Sequence, residues 1–197
     1  MRKIILASQS SARKELFDSL RIPYITLPAD IDEKSIRDNN LGIRAEKLAR
    51  AKAEKILSQN EDSIIISCDT FSECQGKVFE KPKDTVEAKE MLMFLSEKNA
   101  VNYTGFCYID RESGIDFSTT VKTFYSFRKL YNDEVELYIK EFPVVRWAAG
   151  FALVLPYVAS FMAKVEGSLT GLSYGLPAEI LIPLLKRSGF EPQPQMK

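Results

Sequence analysis

Hydrophobic and polar positions change period repeatedly along the chain, and each change marks an element. Residues 2–8 (RKIILAS) form an apolar run that predicts a short buried strand ending in small polar residues. In the SQSSARKELFDSL stretch that follows, Ala12, Leu16, Phe17 and Leu20 share one helical face, with Ser10 or Ser11 as the N-cap. Pro23 to Pro28 predicts a second short strand, leading into the acidic segment Asp30-Ile31-Asp32-Glu33. From about Leu41 to Gln59 the period is helical again, with Ala45, Leu48, Ala49, Ala53 and Ile56 as the stripe. Ile64 to Asp69 is a continuous apolar run closing on a carboxylate, the pattern of a strand buried on both faces.

Gln75-Gly76-Lys77 marks a turn, and Asp84-Thr85-Val86-Glu87 resembles a capping box for a helix over 85–97. Val101 to Ile109 and Ile115 to Phe127, joined by Glu112-Ser113-Gly114, read as a hairpin whose return arm alternates with period two. Asn132 is placed to cap a further helix with Val135, Tyr138, Ile139 and Phe142 inward, and Pro177 opens a last one ending near Gly189. Helices interleave with strands while the central hairpin is antiparallel. The expected class is therefore α/β, a mixed twisted sheet flanked by helices. No linker or internal repeat interrupts residues 1–190, which read as one domain; the tail 191–197, with two prolines, reads as disordered.

Composition narrows the function. The 27 basic and 27 acidic side chains cancel, which argues against a nucleic-acid binder held by bulk positive charge. The absence of histidine removes every Ser–His or Cys–His nucleophile and every histidine-ligated zinc site. Three cysteines without CxxC spacing, and an N-terminal apolar run too short for a secretory signal, point to a reduced, cytoplasmic chain. Trp147 to Ala163 carries no charge but falls short of the roughly 20 residues of a membrane span and holds Gly150 and Pro156; it reads as buried core.

A few polar residues stand out against this pattern. Helical lysines ordinarily lie on the wet face, yet Lys52 sits between Leu48, Ala49 and Ile56, where its ammonium points inward. An unpaired buried charge costs several kcal/mol, so a phosphate is a fitting partner. Asp69 closes a buried strand, where α/β proteins place catalytic groups and where a carboxylate suits Mg²⁺. Arg13 lies beside serines at a helix start, a natural anion cradle. Lys81, held extended by Pro82, and Glu33, in an acidic run, would each read alone as surface charge. Cys68, in an apolar strand with no histidine to deprotonate it, reads as packing.

Taken in order, these residues resemble the Maf-like family of nucleoside triphosphate pyrophosphatases, once named for inhibition of septum formation. LASQSSARKEL (6–16) is similar to the family's LASxSPRRxEL, LARAKA (48–53) to its lysine helix, and SCDTF (67–71) to its short acidic motif. EKPKDTVEAKEML (80–92) is close to KPxDxxEAxxML, and TG (104–105) and GLPAEIL (175–181) follow in place. The resemblance spans nearly the whole chain. It implies two lobes around a cleft, as in inosine triphosphatase-like folds, frequent homodimers, and Mg²⁺ or another divalent cation. The implied activity is hydrolysis of a nucleoside triphosphate to monophosphate and pyrophosphate, a house-cleaning reaction.

Carried across by position, the resemblance implies Ser8, Arg13, Lys52 and Lys81 as triphosphate contacts. Asp69 is implied as the base or a metal-bound carboxylate, and Glu33 as a further acid at the metal. Three departures stand against it. Ser11-Ala12-Arg13 replaces Pro-Arg-Arg, Arg146 to Phe151 replaces Asp-Lys-Ala-Gly-Gly-Tyr, and Val154 takes the place of a glutamine. In the dTTP/UTP-cleaving branch the first arginine, the threonine after the aspartate and that glutamine are tied to base choice, and of these Thr70 remains. Base preference is therefore open, and a Maf-like nucleotide-binding or regulatory protein that has lost turnover is the alternative.

Overall fold

A computed structural model describes residues 2–193 of the chain. The elements run β1 (Ile4–Leu6), α1 (Ser11–Ser19), β2 (Ile25–Thr26), α2 (Leu41–Leu57), β3 (Ile64–Cys74), β4 (Lys77–Phe79) and α3 (Thr85–Leu95). After these come β5 (Asn99–Asp110), β6 (Ile115–Phe127), α4 (Asn132–Glu141), α5 (Pro156–Ala159), β7 (Met162–Gly167), α6 (Leu169–Tyr174) and α7 (Ala178–Arg187). The seven strands form one mixed sheet of order β2-β1-β3-β5-β6-β7, with β4 on the β3 edge. β1 is parallel to both β2 and β3, and the remaining pairs are antiparallel. This is the α/β mixed sheet that the interleaved periods predict.

Alternation along the strands sorts the cores. Ile4, Leu6, Ile64, Ile66, Cys68, Phe106 and Tyr108 face α1 and α7, whose Leu16, Phe17, Leu181 and Leu185 close over them. Ile5, Ile65, Cys107 and Ile109 point the opposite way, onto Ala49, Ala53, Ile56 and Leu57 of α2. A further core gathers Ala88, Leu92 and Leu95 of α3, Val135 and Tyr138 of α4, and Phe151, Val158 and Phe161, against Tyr125 and Phe127 of β6.

The sheet itself divides the molecule. One edge of β3 is taken by β5 from Ile65 to Glu73. On the other edge β1 covers residues 64–66 and β4 covers residues 72–74. Residues 67–71 lie between, covered by neither strand. The lobe built on β1, β2, α1 and α7 thus parts there from the lobe built on β4, α3 and α4, while the long strands β3, β5 and β6 run through both.

Several expectations change. The strand expected to stop at Asp69 continues to Cys74, because β5 goes on pairing with it past the polar Asp69-Thr70 step. Asp69 is therefore mid-strand, at the gap in the edge. Asn132 is the first residue of α4 rather than its cap; Tyr131 precedes the helix, and its N–H donates to the Glu134 carboxylate at 2.7 Å. The apolar stretch 147–163 is not continuous core. It holds a 3-10 turn at Ala148–Gly150, the four-residue α5 and the start of β7, with Phe151, Ala152, Val158 and Phe161 buried and Pro156 and Ala159 exposed. Among the described residues no helix is long and apolar enough to cross a membrane. Of the tail expected to be disordered, residues 194–197 lie outside the described residues, and the amide of Gln193 donates to the Leu20 carbonyl at 3.0 Å.

Candidate active site

The gap on the β3 edge opens into a cleft of about 650 Å³. Seven basic side chains line it (Arg13, Lys34, Arg37, Arg44, Lys52, Lys81 and Arg146) against four acidic ones (Asp32, Glu33, Asp69 and Glu80). A chain with no net charge has thus gathered a positive excess at one place, which concentrates anions there.

Asp69 and Thr70, adjacent on β3, project to opposite faces of the strand. Asp69 turns toward α2. That helix lies unusually close to the sheet because Asp69 pairs with Gly105 on β5, where a Cβ would stand 1.9 Å from the Ala45 carbonyl oxygen. Ser67 Oγ adds a hydrogen bond to the Ala49 carbonyl at 2.5 Å. Two helical turns beyond Ala45, Lys52 reaches the strand, and its ammonium contacts Asp69 Oδ1 at 2.6 Å and Glu33 Oε1 at 2.8 Å. The inward lysine expected from the helix stripe is therefore matched by two carboxylates.

Thr70 turns toward α1. Ser10 caps that helix, accepting from the Arg13 N–H, while Ser8 Oγ accepts from the Ser10 N–H at 3.1 Å and from Arg13 Nη1 at 3.0 Å. Arg13 also donates from Nη2 to Thr70 Oγ1 at 3.2 Å and from Nε to the Gly175 carbonyl at 2.9 Å. Gly175 has a left-handed backbone, φ 63°, and a side chain there would press on Thr70 Oγ1 and Arg13 Nη2. The glycine so fixes the arginine fork between the end of α6 and the strand.

Lys81 completes the set. Partial burial, then the nearby charges of Arg13 and Lys52, pull its pKa below the ordinary 10.5, with Glu33 and Asp69 acting in the opposite sense. Asp69 and Glu33 meet Lys52, whereas Arg13 is held by neutral oxygens, so the group suits an anionic ligand. Cys68 is fully enclosed and its thiol is pushed up to about 12, so it stays protonated and serves packing.

All seven residues singled out in the sequence (Ser8, Arg13, Glu33, Lys52, Asp69, Thr70 and Lys81) line this one cleft. Ala12 lines it too, whereas Val154 does not. Among the described residues no group of three or more His, Cys, Asp and Glu side chains could hold a metal ion. Asp69 and Glu33 offer two carboxylates at one point. That set fits Mg²⁺, which is commonly held by one or two carboxylates together with substrate phosphates and water.

Three cleft residues escaped the sequence. Arg44 lies at i−8 from Lys52 and i−4 from Leu48, on the same face of α2, so the signal that marked Lys52 marked it equally. It is buried, stacks over the Phe71 ring at 5.0 Å, and donates from Nη2 to Glu80 Oε1 at 2.6 Å. Asn102 is a polar residue at an inward strand position, where asparagine is uncommon. Trp147 sits in the segment read as plain core.

The family model described as Maf-like protein matches residues 3–188. A dTTP/UTP pyrophosphatase of Syntrophus aciditrophicus (strain SB) is 31% identical over 187 residues, 95% of this chain and 90% of the relative. One of Pyrococcus furiosus is 32% identical over 186 residues, 94% of this chain and 95% of the relative. Among solved structures, that of a HAM1 protein from Coxiella burnetii covers 64% of this chain and 73% of its own, at TM-score 0.41 and 17% identity.

Proposed function

The chain belongs to the Maf-like family, and on that premise we propose that it is a nucleoside triphosphate pyrophosphatase, cleaving its substrate between the α- and β-phosphates. The observation that carries this reading is the convergence of Arg13, Lys52 and Lys81 with Asp69 and Glu33 in one cleft of positive excess. The relatives named dTTP/UTP pyrophosphatase support a pyrimidine substrate.

A triphosphate repels any nucleophile until its charge is met. Arg13, braced by Ser8, Thr70 and Gly175, and Lys81, on the opposite lobe, are placed to bind phosphate oxygens from two sides. Mg²⁺ held by Asp69 and Glu33 would supply further neutralisation of the phosphates. Asp69 has its Oδ1 on Lys52, which leaves Oδ2 to orient a water and accept its proton. The water oxygen bonds to the α-phosphorus, the bond from that phosphorus to the bridging oxygen breaks, and the electron pair leaves with pyrophosphate. Lys52 holds the carboxylate in its aim. Positioning and charge stabilisation supply most of the acceleration.

The test is pyrophosphate release from a panel of nucleoside triphosphates with Mg²⁺. The expected result is turnover of dTTP or UTP that Asp69→Ala abolishes while the fold persists. Turnover unchanged in Asp69→Ala would overturn the assignment. The departure at Ala12, which lines the cleft, is what favours the alternative of a nucleotide-binding protein without turnover. No release from any nucleotide, with a thermal shift on adding one, would establish it.

A further inference from the structure

Asn102 lies on β5 opposite Ser72, and Thr104 lies opposite Thr70, so these four side chains share one face of the sheet. It is the face on which Arg13 meets Thr70. Asn102 is only 2% exposed, yet it lines the cleft, together with the apolar Phe151, Ala152 and Leu172. The lining thus holds two kinds of surface: the charged Arg13, Lys52 and Lys81 with Ser8, and apolar side chains beside one buried carboxamide. A nucleobase needs this second kind of surface, apolar with a few fixed polar groups.

The orientation of that carboxamide is set by its neighbours. Thr104 Oγ1 lies 3.0 Å from the Gly171 carbonyl, which can only accept, so the single hydroxyl hydrogen of Thr104 goes there. The Thr104 oxygen is then left as an acceptor, and the atom of Asn102 that faces it, at 3.0 Å, must be the donor Nδ2. Asn102 Oδ1 is thereby turned away from Thr104, and among the described residues no donor meets it. Asn102 Oδ1 is not one of the buried side-chain atoms left without a partner, so it keeps an opening onto the cleft that Asn102 lines, where a ligand N–H can take the place of water.

We infer that Asn102 is a specificity residue for the base, its Oδ1 accepting a ring N–H such as N3–H of uracil or thymine. This rests on the nucleotide reading above and adds to it a residue and an atom. The charged side chains recognise any triphosphate. Asn102 supplies a contact that a base lacking the N–H cannot make.

The experiment is calorimetric titration of the protein with UMP and with N3-methyl-UMP, in the wild type and in Asn102→Leu. Binding needs no turnover, so the outcome is separate from whether pyrophosphate is released. The wild type should bind N3-methyl-UMP about tenfold or more weakly than UMP, because the methyl leaves Oδ1 unpaired. In Asn102→Leu the two ligands should bind within about twofold of each other, since the coupled partner is gone. Should Asn102→Leu not fold, Thr104→Val releases the amide to turn and should also narrow the ratio. Equal wild-type affinities, an undiminished ratio in the folded variants, or no binding of UMP to the wild type would each overturn the proposal.

Discussion

The ammonium of Lys52 stands 2.6 Å from Asp69 Oδ1, and both side chains are sheltered, with 12% and 13% of their surfaces exposed. Glu33 shares the same ammonium from the other side at 2.8 Å, but is itself half exposed. A cation between two carboxylates orients the inner one and leaves the outer one free to move. The inner carboxylate is the one on the rigid strand.

Replacing Asp69 by asparagine keeps the shape and removes the proton acceptor. Pyrophosphate release should fall by about 10²–10⁴-fold, the usual contribution of a general base. Stability should fall by no more than about 1–2 kcal/mol, because Glu33 still meets the lysine left behind. Steady-state assays and urea melts of the two proteins check both numbers. A variant that retains its activity removes Asp69 from the chemistry.

Lys81 predicts a pH dependence. Burial and the charges of Arg13 and Lys52 lower its folded pKa beneath the ordinary 10.5. Between the lowered value and 10.5 the unfolded chain holds this proton and the folded chain does not, so this group makes stability rise with pH across that window. A bound triphosphate favours the charged form and reverses the shift. Nucleotide binding should therefore take up protons within the window, seen as a dependence of the binding heat on the buffer's ionisation enthalpy. Lys81→Met should abolish that uptake.

Much of this arrangement was written locally, and the rest was not. Lys52 could be read as inward because three apolar neighbours fix its face of α2, and Ser10 could be read as a cap from its place before the helix. β7 was missed because Met162 and Val165 are its two apolar positions with any burial beyond its exposed neighbours, and α6 because six residues hold less than two turns of pattern. The strand appeared to end at Asp69 because the polar step there interrupts the apolar run. The partner that continues it, β5, lies some thirty residues on, and only pairing reveals the continuation. Asn102 carries no local signal beyond its residue type, since its role depends on Thr104 and Gly171.

Arg44 offers a test of communication between the lobes. It reaches from α2 across Phe71 to Glu80, whose own carbonyl accepts from the Ala149 N–H at 3.0 Å, and Lys81 is the next residue. Arg44→Met preserves the length of the stem but lets the 80–82 segment go. KM should rise several-fold with a smaller change in kcat, because Lys81 then has to be ordered by the substrate. Glu80→Gln should reproduce the direction more weakly, since a neutral acceptor remains. Equal losses in kcat for both would place Arg44 in the chemical step instead.

Gly105 tests whether the closeness of α2 to the sheet places the site. Asp69 and Gly105 face each other across β3 and β5, and a methyl on Gly105 would fall 1.9 Å from the Ala45 carbonyl oxygen and 2.3 Å from its carbon. These are backbone atoms within a helix and cannot swing aside, so Gly105→Ala must push α2 outward. Overpacking of this kind costs about 1–3 kcal/mol, and a backbone clash lies at or beyond the upper end. The displaced helix carries Lys52 with it, away from Asp69. Melting temperature and activity should therefore fall together, and activity should fall further than the unfolded fraction explains at a temperature where the variant is still folded. A control in the same sheet is Gly114→Ala, at a positive-φ turn with open space around it, which should lose stability through backbone strain while a folded sample keeps its full activity. If Gly105→Ala behaves like that control, the spacing of α2 from the strand is not what sets the lysine on the carboxylate.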